Sequence, residues 1–168
     1  MKDKSALDIK LMFEQACAFV DCAEFTELER NKNTYHNIAY GYVDISLSAL
    51  ACEIFIKSLI ICREGTYNHE HKLTELWKIY KGLDSTGSQN IEFSIRRWFN
   101  MSDSGMFERM LSDASNAFIE WRYIFDYDSK DKVSINPQFI RGFRYALRKY
   151  CYETIISKNN IPDFSVVK

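Results

Sequence analysis

The sequence predicts a single all-α domain, an antiparallel bundle of about five to six helices, and three observations lead there. Only 6 Gly and 2 Pro punctuate the chain, too few turn-formers for the many short strands of a sandwich or barrel. Apolar residues recur at three and four spacing through several long segments, which is the helical period. At 168 residues, with 46% hydrophobic and 15% aromatic content, the chain has the length and the apolar material for one continuous core. No linker, internal repeat or low-complexity run divides residues 1–168 into further domains.

The first helix is expected from about Ser5 to Glu29, where Ile9, Met12, Ala16, Phe19 and Ala23 make one apolar face. A polar stretch, Arg30 to Asn33, separates it from a second helix over Tyr35 to Arg63, with Asn33 or Thr34 to cap and Gly65 to stop it. In that helix Ile38, Tyr42, Ile45, Ala49, Cys52, Ile56 and Leu59 keep a heptad seam, and Val43, Leu47, Leu50 and Ile54 form a second stripe. A helix apolar around most of its circumference needs neighbours on several sides, so it is expected at the bundle's centre.

A short third helix follows through Leu73, Leu76, Trp77 and Tyr80, ending near Gly82. Asp84 to Asn90 reads as a polar loop, Ile91, Ile95, Trp98 and Phe99 as a fourth short helix, and Ser102 to Gly105 as a break. A fifth helix is expected from Phe107 through Leu111, Ala114, Phe118 and Trp121 to Phe125, closed by the charged turn Tyr127 to Lys132. Asn136 should cap a last helix with Pro137 in its first turn and Ile140, Phe143, Leu147 and Tyr150 facing inward. Residues 157–168 read as a loosely held tail.

Composition removes several function classes. The formal net charge of -1 gives no overall basic field for nucleic acid or acidic lipid, so such binding needs a local patch. Cys17, Cys22, Cys52, Cys62 and Cys151 are odd in number and hold no C-x-x-C pair, which favours reduced thiols over a disulfide framework or zinc ribbon. Cys17 and Cys22 read as core fillers of the first helix. The charged start and the polar residues Ser46, Ser48, Glu53 and Lys57 in the most apolar region point to a cytoplasmic chain with no membrane partner. Phosphate-binding, dinucleotide-binding, serine-hydrolase and zinc-peptidase motifs are absent, and no cofactor is expected.

Two stretches carry a family resemblance. Leu50-Ala51-Cys52-Glu53-Ile54-Phe55-Ile56-Lys57-Ser58-Leu59, followed by a loop and His71-Lys72-Leu73-Thr74-Glu75-Leu76, resembles the HEPN family. In that family a long central helix with a Glu and a Lys one turn apart precedes a loop and a His-x-Leu helix start. The second stretch is Trp121-Arg122-Tyr123-Ile124-Phe125-Asp126-Tyr127, where active HEPN ribonucleases carry an Arg, a polar neighbour and a His a few positions on. Here Arg122 is present, Tyr123 replaces the polar neighbour and Tyr127 stands at the histidine position. A phenol titrates near ~10 and is a poor base beside imidazole at neutral pH. The resemblance therefore implies a HEPN-like bundle, homodimeric, that binds RNA or a partner such as a nucleotidyltransferase-like protein, with a degenerate cleavage motif and a defence or toxin–antitoxin setting. The alternatives it leaves are a metal-independent endoribonuclease and a structural oligomerisation module.

Other constellations remain on the page beside plainer explanations. Arg30 and His36, with Asn31 after the Arg, have the family's Arg-to-His spacing, although between the first two helices, where a solvated turn is the ordinary alternative. His69, Glu70 and His71 lie close together, but zinc needs further ligands and no metal is expected. Arg141, Arg144 and Arg148 recur on the last helix with Lys149 beside them, either a phosphate track with Tyr145 and Tyr152 for stacking or an ordinary solvated face.

Overall fold

A computed structural model describes residues 4–32, 37–65, 69–103, 105–120 and 135–157. Among them are six α-helices, α1 (Lys4–Lys32), α2 (Asn37–Glu64), α3 (Leu73–Leu83), α4 (Ser85–Trp98), α5 (Met106–Glu120) and α6 (Pro137–Cys151), the last extended by one π-helical turn, Tyr152–Ile156. The described residues contain no strand, so the chain is an all-α bundle.

The pairings fix the topology. Phe13 meets Phe55 with ring centroids 5.8 Å apart, while Arg30 lies beside Gly41, so α1 runs antiparallel to α2. Arg141 bonds Asp44 and the Cys151 thiol bonds the Phe55 carbonyl at 3.6 Å, so α6 runs alongside α2 in the same direction. His71 sits against Glu53 and Asp84 against Arg63, which returns the chain down the α2 flank before α3 follows its carboxyl-terminal half. α2 thus has neighbours on several sides, as its circumference of apolar residues requires. Its stretch Tyr40–Glu64 is long and apolar enough to cross a membrane, and 72% of its most apolar window is buried within the bundle.

The core follows the heptad seam of α2, with Ile45, Ala49, Cys52, Ile56 and Leu59 all buried. The second stripe lies at the rim instead. Val43 is exposed and Leu47, Leu50 and Ile54 are only partly buried, because α1 and α6 cover Asp44, Ser48, Ala51 and Phe55 instead. On α1 the deepest residues are Phe13, Ala16, Cys17, Val20 and Ala23, leaving Met12 and Phe19 at the edge and Cys22 exposed rather than in the core. Between α3, α5 and α6 the rings of Trp77, Phe107, Phe139 and Phe143 interlock, with Trp77 edge-on to Phe143 at 5.3 Å and Phe107 edge-on to Phe143 at 5.7 Å. Such tilted contacts suit the ring quadrupoles. The buried Trp77 indole N–H donates to Glu92 at 3.1 Å.

The helix ends show what local chemistry does. Asn136 accepts from the Gln138 and Phe139 N–H groups, with Pro137 opening α6. Gly65, at φ 72°, closes α2 in the left-handed region. The run Asp84 to Asn90 is not a loop but the start of α4, because the Asp84 carboxylate accepts the Gly87 N–H at 2.8 Å and caps it. The same carboxylate takes the Arg63 guanidinium at 2.5 Å and the Tyr80 hydroxyl at 3.3 Å. Burial acts to raise the Asp84 acid, but the Gly87 N–H and Arg63 outweigh it and hold it below the usual carboxylate range. A Cβ at Gly87 would strike the Tyr80 and Tyr150 phenol oxygens and the Asp84 carboxylate. The expected continuation of the fifth helix to Phe125, the turn Tyr127 to Lys132 and the tail beyond Ser157 lie outside the described residues.

Candidate functional site

Residues from both halves of the first resembling stretch meet where α2 passes the start of α3. Glu53 and Lys57, one turn apart on α2, are 4% and 3% exposed, and Lys57 Nζ lies 2.9 Å from Glu53 Oε1. His71, just ahead of α3, brings Nδ1 to 2.8 Å from the same oxygen. An ionised carboxylate can only accept, so Nδ1 is the donor in this pairing. The His71 side chain is 66% exposed, so its outer edge faces solvent while Glu53 anchors it from within. Glu70 fixes the backbone there by accepting the His71 and Lys72 N–H groups at 2.8 and 2.9 Å. Those two bonds, that to Lys72 foremost, hold the Glu70 acid below its ordinary value.

One atom in this set has no partner among the described residues. Glu53 Oε2 is buried and accepts no hydrogen bond, an arrangement that costs free energy wherever it persists. A buried ion pair is seldom more stabilising than a well-packed apolar pair of similar volume. Packing alone therefore gives no reason for Glu53 and Lys57 to lie inside the bundle.

Two arginines of the basic stripe on α6, Arg141 and Arg144, are spent inside the molecule, which corrects their expected place on an outer face. Arg141 and Arg144 are 8% and 5% exposed. Arg141 Nε donates to Asp44 Oδ2 at 2.9 Å and its guanidinium lies 3.0 Å from Glu27. Arg144 reaches Asp44 at 3.2 Å and Ser48 Oγ at 2.6 Å, with Glu24 at 3.7 Å. Arg148, 28% exposed, is 3.4 Å from Asp21. The stripe is thus zipped onto Glu27, Glu24 and Asp21 of α1, over a buried Asp44. A phosphate would have to displace carboxylates to reach Arg141 or Arg144. Lys149 alone of the four is fully on the surface.

Compared with known proteins, the chain matches no family model, no curated sequence and no solved structure.

The remaining expected residues fall in three places. Arg122, Tyr127 and His36 lie outside the described residues. Arg30 belongs to the last turn of α1 rather than to an interhelical turn, because α1 runs on to Lys32. It sits at the Gly41 end of α2, roughly 18 Å along the helix from Glu53 at 1.5 Å per residue. Arg30 and His71 therefore do not share a site. Among the described residues, no three His, Cys, Asp or Glu side chains are placed to hold a metal ion.

Sequence reasoning missed two features. The first is the acidic stripe Asp21, Glu24 and Glu27 on α1, spaced by three, which faces the arginines of α6 spaced by three and four. The second is Trp98, one of the residues that mark the fourth helix in the sequence, which is 61% exposed and stands edge-on to the exposed Tyr145, with centroids 5.7 Å apart. Ile91 and Ile95 supply the inward face of α4 without it.

Proposed function

We propose that this protein is a HEPN-like helical bundle that works by binding, with the cleavage motif of that family degenerate. The observation that supports it is the meeting of Glu53, Lys57 and His71 in one hydrogen-bonded set. The resemblance draws those residues from the two halves of its first stretch, on either side of a loop, and packing gives no independent reason to join them. Tyr127, standing where the family has its proton-transferring histidine, supports binding over cleavage. The homodimer and the defence or toxin–antitoxin setting belong to the same reading through the resemblance.

With Arg141 and Arg144 neutralised by Asp44 and Glu27, RNA binding in this reading falls to Arg122 and its neighbours. The test is a filter-binding titration of purified protein with mixed single-stranded RNA at several salt concentrations. Arg122→Ala is expected to weaken binding about tenfold and to reduce the salt slope by roughly one. An unchanged affinity and slope would remove Arg122 from the site.

A further inference from the structure

Trp98 and Tyr145 form a ridge on the α4 and α6 face of the bundle, 61% and 59% exposed with their rings edge-on. Tyr145, Lys149 and Tyr152, spaced by four and three, continue it as an exposed stripe along α6. An open groove flanks the ridge on either side, and the two rings line both grooves. The larger, of about 450 Å³, reaches Glu24 and Glu27 of α1 and also takes in Phe99 and Gly142. The smaller, of about 290 Å³, runs past Asn90, Ser94, Lys149 and Glu153.

Charge, shape and size decide what fits this face. The larger groove sets Glu24 and Glu27 against Arg141 and Arg144, and the smaller sets Lys149 against Glu153, so each is electrically balanced. A nucleic-acid backbone needs a basic excess, and neither groove has one. Two-fold pairing joins a surface to itself, so it needs a projection beside a recess and both signs of charge on the same face. All of these occur here. At about 150–250 Å² for a whole ring, the exposed parts of Trp98, Tyr145 and the 39% exposed Tyr152 amount to roughly 300 Å² per copy. A stable dimer buries about 800 Å² per partner, so the ridge supplies an apolar centre and the groove walls a polar rim.

We infer that a second copy of the chain docks on this face about a two-fold axis. The Trp98 and Tyr145 ridge of each copy enters the larger groove of the other, over Phe99 and Gly142. The smaller groove then lies across the partner's α1, which sets Lys149 against the partner's Glu24. Glu24 is open to that contact, being 54% exposed and 3.7 Å from Arg144, beyond hydrogen-bond length. The inference rests on the homodimer of the reading above and assigns it a face.

Sedimentation velocity over a wide range of protein concentration reads the association, and circular dichroism confirms that each variant keeps its helices. The unaltered protein is expected to dimerise. Trp98→Ala should weaken association about tenfold, while Trp98→Phe keeps most of it. Lys149→Glu, which opposes a carboxylate to the partner's Glu24, should weaken association several-fold, whereas Lys149→Arg should leave it intact. A monomer at every concentration overturns both the inference and the homodimer of the proposed function. A dimer indifferent to Trp98→Ala and Lys149→Glu keeps that homodimer and overturns this face. A labelled single-stranded oligoribonucleotide, bound by the unaltered protein and lost with Trp98→Ala, also overturns it, since the rings would then be a base-stacking platform.

Discussion

Replacing Asp44 with asparagine removes a buried carboxylate that hydrogen-bonds both buried arginines of α6. Asp44 is 0% exposed and accepts from Arg141 and Arg144 together, with Ser48 completing the set. Asp44→Asn keeps the shape but leaves two guanidiniums, 8% and 5% exposed, with Glu27 and Glu24 as their remaining carboxylates among the described residues. Breaking a buried pair in this way costs about 3–5 kcal/mol, against a total stability of about 5–15 kcal/mol for a domain. At roughly 2–4 °C per kcal/mol for a chain of this size, the melting midpoint should fall by roughly 6–20 °C. Asp21→Asn, at the exposed end of the same ladder where Arg148 is 3.4 Å away, should cost no more than about 1 kcal/mol. Urea denaturation followed by circular dichroism measures both. A further variant, Asp44→Leu with Arg141→Met and Arg144→Leu, should regain most of the loss, because apolar packing replaces a buried ionic cluster at little cost. A loss below about 1 kcal/mol for Asp44→Asn would refute the claim that these arginines are structural.

Three other outcomes are expected. Glu53→Gln removes the carboxylate that lies 2.9 Å from the buried Lys57 ammonium and should cost about 3 kcal/mol in urea, most of it recovered by adding Lys57→Met. Gly87→Ala forces a methyl group against Tyr80, Tyr150 and Asp84 and should lower stability by about 1–3 kcal/mol, read as a shift in thermal midpoint. Asp84 has its acid held low in the folded state, so its contribution is full above the unfolded value of about 4 and is lost as pH falls through the folded one. Melting curves should therefore show a steady gap between the wild type and Asp84→Asn above about pH 5 that closes below about pH 4; a gap that widens on acidification would reverse the sign.

Much of the fold was legible because apolar spacing reports directly on burial. The α2 seam, the α3 stripe and the Asn136–Pro137 start of α6 follow from local pattern alone. The start of α4 was missed because Asp84-Ser85-Thr86-Gly87 is chemically both a turn and a cap, and only the hydrogen bond from Gly87 to Asp84 separates them. The α6 stripe misled for a different reason. Arginines at three and four spacing look the same whether they face water or a carboxylate row, and their partners lie on a helix more than a hundred residues earlier. Glu53, Lys57 and His71 were legible as a motif, whereas the shared Oε1 and the unpartnered Oε2 are properties of tertiary geometry that no spacing encodes.

The most direct test of binding without cleavage is to incubate the purified protein with end-labelled mixed RNA, with and without divalent cations, and run the products on a denaturing gel. Full-length RNA is expected throughout. Fragments that appear with the unaltered protein and vanish with His36→Ala would contradict it and place an active endoribonuclease in this bundle.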